Sequence, residues 1–311
     1  MAGGDDQPGD DVRPADGELE ERRTPQPIAL TRTARFALGA TIAIVLGVIV
    51  LVIVAITARP PARNAVHQAT APAVVVAQVS GVPAAVFDAV GNGPANASWT
   101  APTVLSPPST ITDRGKPEVI YVGAEYCAFC AAERWPLVVA LARFGQFTRL
   151  SAVASSSNAA FPAVHSFSFV GATYTSPYVV LSATEQFSNV RGPDGAFQSL
   201  GTVPARDRPA LDRASQAAAD GMPPGTLPLV DVAGIEALAT SQFSPAVLGS
   251  APMTSIAGQL TDPTAITTEA IIAAANQLSA GICTATGQRP AAVCSSPGVR
   301  QADQALGLRQ P

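Results

Sequence analysis

Charge, lysine and histidine are scarce in this sequence. Charged residues make up 14% of the 311, the net charge is −4, and Lys116 is the one lysine. Without a basic surface the chain has nothing to attract phosphate backbones, so we expect no nucleic-acid partner. The two histidines, His67 and His165, stand alone, and neither a phosphate-binding glycine loop nor a Gly-x-Ser-x-Gly motif occurs. We therefore expect no hydrolase chemistry, no organic cofactor and no metal.

Cysteine is absent from the first 126 residues and occurs four times after them, as two close pairs. The pairs are Cys127 with Cys130 and Cys283 with Cys294. An even number of cysteines in pairs suits an oxidising compartment. Hydrophobic residues make up 47% of the chain, which is enough to bury a core.

Charge is also absent from Phe36 to Thr57, a run of 22 mostly apolar residues. At about 1.5 Å per residue, a helix of this length crosses a hydrocarbon core of about 30 Å. A cleaved signal peptide is the alternative, but the run exceeds the usual apolar region of about 7 to 15 residues. Arginines before the run favour a cytoplasmic N-terminus. We predict a single-pass protein of the cell membrane whose C-terminal domain is extracytoplasmic.

The composition changes along the chain predict five segments. Residues 1–35 are rich in Asp, Glu, Arg, Pro and Gly, which predicts a disordered cytoplasmic tail. The transmembrane helix spans 36–57, and an extended tether follows over 58–81, where Pro60 and Pro61 disfavour a helix. The folded domain spans 82–298 and a flexible C-terminus 299–311.

The folded domain alternates between strand and helix patterns, which predicts an α/β sandwich. Strands are predicted at 118–123, 147–154, 178–183 and 229–233, and helices at 128–144, 205–219 and 268–278, with a further helical stretch from Ile235. Pro136 predicts either a kink in its helix or a restart of the helix.

Cys127 and Cys130 form a Cys-x-x-Cys motif that follows an apolar strand and opens a helix. Unpaired N–H groups and the positive end of the helix dipole stabilise a thiolate there, so Cys127 is the predicted nucleophile. Cys130, one turn along, is placed to resolve a mixed disulfide. A structural disulfide and half of a zinc site are the alternatives.

The segment Ala124–Cys130, with an aromatic residue before the first cysteine, resembles the active-site segment of the thioredoxin superfamily. Residues 225–232 are similar to the loop in which thioredoxin-like proteins carry a cis-proline that faces the active-site disulfide. The resemblance makes Pro228 the candidate for that proline and its active-site role. A proline that starts an edge strand is the alternative.

Over roughly residues 100–298 the chain also resembles an uncharacterised family, domain of unknown function 929, which is seen in actinobacteria and archaea. The resemblance rests on the phrase from Tyr121 to Trp135, on residues 174–178 and on the Cys283–Cys294 segment. It implies a thioredoxin-like sandwich with a long insertion before the cis-proline loop.

The sequence departs from the thioredoxin pattern at two positions. Tyr121 stands where thioredoxins carry a buried acid, and Phe129, not proline, precedes the second cysteine. Glu125 and Glu133 are candidates for tuning the thiols or moving protons, although a glutamate on a helix face is more often solvated.

Cys283 and Cys294 enclose ten residues that include Gly287 and Pro290, which favour a turn. A structural disulfide here would add about 2–3 kcal/mol of stability. A relay that exchanges electrons with Cys127 and Cys130 is the alternative.

These features together predict a membrane-anchored, extracytoplasmic thiol–disulfide oxidoreductase. Its expected partners are protein thiols or disulfides and a membrane electron-transfer protein. The alternative is a non-enzymatic binding or scaffold domain of the cell envelope, in which both cysteine pairs are structural.

Overall fold

The computed structural model of the chain describes residues 69–94, 99–218, 222 and 225–308, which belong to one compact unit, Val66–Pro311. The predicted tail, the predicted transmembrane helix over 36–57 and the tether as far as residue 68 lie outside these residues. Within the described ranges, no single helix has the length and hydropathy of a membrane span. Two consecutive helices, Ala73–Ser80 and Ala84–Val90, have that length and hydropathy only when they are taken together, and the chain bends by 64° between them.

The central sheet is built around strand β4, Lys116–Gly123. β4 pairs in parallel with β7, Val180–Glu185, and antiparallel with β10, Leu229–Val232. The sheet continues from β10 through β11, Glu236–Leu238, to β2, Thr103–Val104, while β3, Thr112–Asp113, pairs with the start of β4. β4 is buried from residue 118 onward because strands cover both of its edges and helices cover both of its faces.

Alternate residues of β4 enter different cores, as the two-residue period of a strand requires. Val119 and Tyr121 join the larger core. This core includes residues of helices α3, Ala128–Ala142, α5, Met253–Gln259, and α6, Ile266–Ala285. Ile120 and Val122 pack on the opposite face against Leu211. Leu211 belongs to α4, Arg208–Ala218. The predicted α/β class is therefore confirmed, with helices on both faces of the sheet.

Helix α3 is almost completely buried, and it packs against α6 and against β6, His165–Thr175. Its sequence is apolar on nearly every side, which is typical of a helix enclosed by a core. Pro136 lies inside the helix, which runs without a break from Ala128 to Ala142. The helix therefore does not restart at the proline.

The described residues between α3 and β10 form five strands and one helix. β5, Gln146–Ala154, and β6 form an antiparallel pair that β1, Ala69–Thr70, extends. After β7, the hairpin of β8, Phe187–Arg191, and β9, Phe197–Ser199, precedes α4. The strands predicted over 147–154, 178–183 and 229–233 are present with ends shifted by one or two residues, as is usual for such boundaries.

The sequence predicted a helix from Ile235, and the structure corrects this to strand β11. Ala233 and Gly234 have φ values of 56° and 73°, and the N–H of Ile235 donates to the carbonyl of Val232 at 3.0 Å. Two consecutive positive φ angles form the tight turn that joins antiparallel strands. The chain therefore reverses into a hairpin before a helix can start.

The folded unit extends beyond the predicted boundaries at both ends. Where an extended tether was expected up to residue 81, Ala73–Ser80 forms helix α1 and Ala84–Val90 forms α2. Val75 and Val79, four residues apart, are buried on one face of α1, which explains why the segment folds onto the core.

At the other end, α7, Ala291–Cys294, precedes α8, Pro297–Leu306, where a flexible C-terminus was expected from residue 299. Val299 and Ala302 are buried on one face of α8, and α8 packs on α2 and α6. Pro297 in the first turn and Gly307, with a φ of 68°, are the start and stop signals that the composition argument overlooked.

Candidate functional site

Cys127 lies at the point where the chain leaves the central sheet and enters helix α3. Its backbone is extended, with φ −81° and ψ 122°, and it is the N-cap residue of the helix. Its sulfur accepts a hydrogen bond from the backbone N–H of Cys130 at 3.1 Å. A sulfur at this position satisfies one of the unpaired N–H groups of the first turn and lies at the positive end of the helix dipole.

Cys127 and Cys130 are both thiols in this structure, and their environments differ. Cys127 is partly exposed, whereas Cys130 is completely buried. A hydrogen bond from the Cys130 side chain, together with backbone N–H groups and the charge of Arg134, lowers the pKa of Cys127 despite partial burial. Burial and the hydrogen bond to Cys127 raise the pKa of Cys130 well above its ordinary value. The partly exposed thiol therefore has the lower pKa and the buried thiol the higher one.

The loop before β10 lies against the exposed cysteine. The Leu227–Pro228 peptide bond is cis, as the sequence predicted, and the Leu227 carbonyl lies 3.6 Å from the Cys127 sulfur. β10 is an interior strand between β4 and β11, which rules out the alternative that Pro228 begins an edge strand. The pairing of β10 with β4 brings Cys127, Cys130 and the Pro228 loop together.

A buried ion pair lies beneath the two cysteines, and the sequence analysis missed it. Arg134 donates from Nε and Nη2 to both carboxylate oxygens of Glu185, each at 2.8 Å, and both side chains are fully buried. Nη2 also donates to the carbonyl of Ala124 at 2.8 Å. The Tyr121 ring lies 5.9 Å from the guanidinium carbon. The spacing of 127, 130 and 134 along one helix face was the available signal.

Aromatic residues adjoin the motif in the chain, with Tyr126 directly before Cys127 and Phe129 directly before Cys130. Tyr126 stacks on Phe197, with ring centroids 4.2 Å apart, and Arg191 covers Phe197 at 4.1 Å. Phe129, which is 40% exposed, meets Phe161 edge to face. Part of this aromatic surface is therefore exposed next to the motif.

A groove of about 330 Å³ adjoins the Pro228 loop on the α4 face of the sheet. Val122, Leu211 and Leu229 form its apolar wall, and Gly225 and Leu227 belong to the loop itself. Because the Leu227 carbonyl also contacts Cys127, the groove and the Cys127 sulfur share this loop.

The two glutamates that the sequence singled out are buried rather than solvated. Glu125 accepts a hydrogen bond from the Ser168 hydroxyl. Glu133 accepts one from the Gln242 N–H at 2.9 Å, and burial raises its pKa to about 8. These bonds lead away from the cysteines, to β6 and to the loop after β11.

Cys283 and Cys294 form a disulfide with their Cα atoms 5.5 Å apart, and each residue is 1% exposed. The bond links the last turns of α6 to α7. His165 lies in β6, where its carbonyl accepts a hydrogen bond from the Trp135 indole at 3.0 Å. No group of three or more potential ligands in the described part of the chain is arranged to hold a metal ion.

Residues 104–192 match the family model described as Domain of unknown function (DUF929). This match runs from the last residue of β2 to the residue after β8. It therefore includes both cysteines of the motif, Arg134 and Glu185. No curated protein and no solved structure matches the chain.

Proposed function

We propose that the chain is a membrane-anchored, extracytoplasmic thiol–disulfide oxidoreductase with a thioredoxin-like fold. The observation that carries this proposal is the pairing of an accessible thiol of lowered pKa, Cys127, with a buried thiol of raised pKa, Cys130, three residues later. A disulfide that only stabilises a fold requires no such difference between its two sulfurs, whereas exchange chemistry does.

The arrangement around the motif supports a thioredoxin-like fold. A buried strand leads directly into the first cysteine, the second lies in the first turn of the following helix, and a cis-proline precedes the neighbouring strand. In this fold, the long insertion before the cis-proline loop would be the chain after β7, which holds the β8–β9 hairpin and α4. The lack of similarity to solved structures makes this topology the main support for the fold.

The proposed reaction transfers two electrons from the dithiol to a protein disulfide. The Cys127 thiolate attacks one sulfur of the substrate, forms a mixed disulfide and releases the other substrate sulfur as a thiolate, which takes a proton from solvent. Cys130 then attacks the Cys127 sulfur, and its proton passes to the second departing substrate sulfur. The products are the Cys127–Cys130 disulfide and a reduced substrate, and the reverse sequence oxidises a protein dithiol.

The compartment follows from two features. The apolar run over 36–57 is long enough to anchor the chain in a membrane. The buried Cys283–Cys294 disulfide supports an oxidising environment for the folded domain, which follows the apolar run in the chain. A membrane protein that carries electrons to or from the Cys127–Cys130 pair is the partner that repeated turnover would require.

The experiment uses the full chain, purified in detergent and equilibrated with glutathione buffers of graded potential. Thiol labelling and mass spectrometry then report which cysteines are reduced. We expect Cys127 and Cys130 to equilibrate at potentials above about −270 mV, while Cys283 and Cys294 stay bonded. A Cys130→Ser variant should accumulate a mixed disulfide at Cys127 when it is mixed with a peptide disulfide.

The second cysteine pair is the internal control, because it reports whether the domain stays folded during the titration. If Cys127 and Cys130 resist reduction throughout and Cys130→Ser traps no mixed disulfide, the oxidoreductase proposal fails. The scaffold function, in which both pairs are structural, would then take its place.

A further inference from the structure

The Arg134–Glu185 pair is unusual because both charges are completely buried. The pair joins residues 51 positions apart in the sequence, on α3 and at the end of β7. Buried ion pairs contribute little to stability compared with well-packed apolar side chains of similar size, because removing two charges from water is costly. A stability role therefore does not explain why a guanidinium occupies this position.

Helix geometry aims the guanidinium at the cysteines. Residues 127, 130 and 134 are spaced by three and four positions, which places them on one face of α3. Side chains of a helix lean toward its N-terminus, so Arg134 extends back toward Cys130 and Cys127. Its hydrogen bond to the Ala124 carbonyl, three residues before Cys127, fixes the guanidinium under the turn that carries the motif.

One nitrogen of the guanidinium remains unassigned. Nε and Nη2 of Arg134 are used by Glu185 and Ala124, whereas Nη1 is buried without a hydrogen-bond partner among the described residues. A buried charged donor without a partner is costly, and natural structures retain such groups mainly where they have a role. The charge of Arg134 acts on both cysteine sulfurs, in each case favouring the thiolate.

We propose that Arg134 is a positioning residue that places a buried positive charge beneath the Cys127–Cys130 pair and stabilises the Cys127 thiolate, while Glu185 holds the guanidinium in place. The proposal rests on the proposed function for its purpose, although the ionisation of Cys127 can be measured whether or not the protein turns over a substrate. A stabilised thiolate favours the dithiol over the disulfide, so the arrangement makes the motif a stronger oxidant.

The ionisable groups that face Cys127 come from three elements. Cys130 and Arg134 belong to α3, Tyr121 belongs to β4, and Tyr126 lies in the turn between them. Glu185 faces them from β7 through Arg134. Because the pKa values of both tyrosines are raised, by burial above all, the tyrosines stay neutral while Cys127 ionises. Glu125, two residues before Cys127, keeps its contact with Ser168 in every variant, so Arg134 and Glu185 are the groups that the variants change.

The test measures the pH profile of Cys127 alkylation by iodoacetamide in the reduced full chain. The variants are Glu185→Gln and the double variant R134M/E185M, which removes both charges and leaves no buried ion without its partner. In the double variant we expect the profile to move to higher pH, with alkylation at about pH 6 slower by about tenfold, which is one pKa unit. In Glu185→Gln we expect the rate to stay equal or to rise, because the positive charge remains and its counter-charge is gone.

This difference in direction separates electrostatic stabilisation from a structural role. If the ion pair only supports the turn, both variants disturb the same contacts and shift the profile in the same direction, which would overturn the proposal. An unchanged profile in the double variant would overturn it as well. The glutathione equilibrium gives a second readout, since the double variant should move toward the disulfide by a similar factor.

Arg143 provides the matched control, because it is a partly buried arginine at the C-cap of the same helix, far from the motif. It donates to Asn276, Ser279 and Ser296, away from the motif. Arg143→Lys should leave the alkylation profile unchanged. Trapping of a peptide disulfide by Cys130→Ser tests the proposed function separately. A charge-dependent profile without trapping would support the role of Arg134 and refute the oxidoreductase, and trapping with a charge-independent profile would do the reverse.

Discussion

The two cysteine pairs of this protein occupy opposite environments. Cys127 and Cys130 are thiols at the N-terminus of α3, one partly exposed and one buried, with a buried cation on the same helix face. Cys283 and Cys294 are bonded to each other, and both lie in the core where α6 ends. The spacing of cysteines therefore indicates only that two sulfurs can meet. Exposure and local charge decide whether they exchange.

The comparison also shows that the N-terminal and C-terminal ends of helices are different environments for a cysteine, because Cys127 lies at the start of α3 and Cys283 near the end of α6. At the N-terminus, free N–H groups and the dipole favour the thiolate of Cys127. At the end of α6, Cys283 meets the carbonyl end of the helix, where a negative charge is unfavourable and a neutral disulfide is not. The position of each pair along its helix is thus consistent with the chemical state that the structure shows.

The largest expected effect comes from Cys127→Ser. This change removes the proposed nucleophile while keeping a hydrogen-bond acceptor at the N-cap, so the helix start should survive. We expect the rate of disulfide exchange with a peptide substrate to fall to the uncatalysed level, a loss of at least about a thousandfold. The matched control is the double variant Cys283→Ala/Cys294→Ala, which should keep its exchange rate. If Cys127→Ser kept its exchange rate and Cys283→Ala/Cys294→Ala lost it, the second pair would be the exchanging one, and our assignment of the two pairs would be wrong.

An intermediate effect is expected from the same Cys283→Ala/Cys294→Ala variant when stability is measured. The disulfide closes a loop with a sequence separation of 11 residues. Its removal should lower the free energy of unfolding by about 2–3 kcal/mol, because the unfolded chain gains loop entropy. Denaturant unfolding of the wild type with and without a strong reductant provides the comparison. A relay pair would instead be reduced in mild glutathione buffers with no change in stability.

The smallest expected step, about 1 kcal/mol for each pH unit, concerns Glu133. Its pKa is shifted upward, whereas the pKa of Cys127 at the start of the same helix is shifted downward. The folded pKa of Glu133 is raised from 4.5 to about 8 by burial. The stabilisation that comes from its neutral form is fully present below about pH 4.5 and is lost as the pH rises toward 8. Between pH 4.5 and 8, the wild type should lose about 1 kcal/mol of stability relative to Glu133→Gln for each unit by which the pH rises.

Thermal or denaturant unfolding at about pH 5 and about pH 8 measures this difference. Asp231 and Glu236 also have pKa values raised by burial. Asp231 is present in both proteins and so largely cancels. Glu236 cancels only in part, because the charge of Glu133 adds to the rise of its pKa. The reduced Cys127 contributes with the opposite sign. Its lowered pKa gives stability above the unfolded value of 9.0, which is lost as the pH falls through the folded pKa. A pH-independent difference between wild type and variant would show that Glu133 is ionised in the folded state.

Local patterns predicted the elements that are built from neighbouring residues. The strand before Cys127, the helix after it and the helix around 268–278 are present because apolar period and strand propensity act within a few residues. The helix predicted from Ile235 was wrong, because a turn at Ala233 and Gly234 takes precedence over helix propensity. The helix that begins at Pro297 was missed because its buried face contains only small or isolated apolar side chains.

The sequence by itself determined the position of the motif between a strand and a helix and the position of a proline before β10. It also predicted that Cys127 is the nucleophile of the motif. Each of these depends on contacts within one element or on a short motif. Only the tertiary structure decided that Arg134 pairs with Glu185, that the Leu227 carbonyl touches a sulfur 100 residues away, and that Glu133 is buried. Such contacts depend on which elements pack together. Burial then lowers the local dielectric constant, and each charge therefore interacts more strongly with its neighbours.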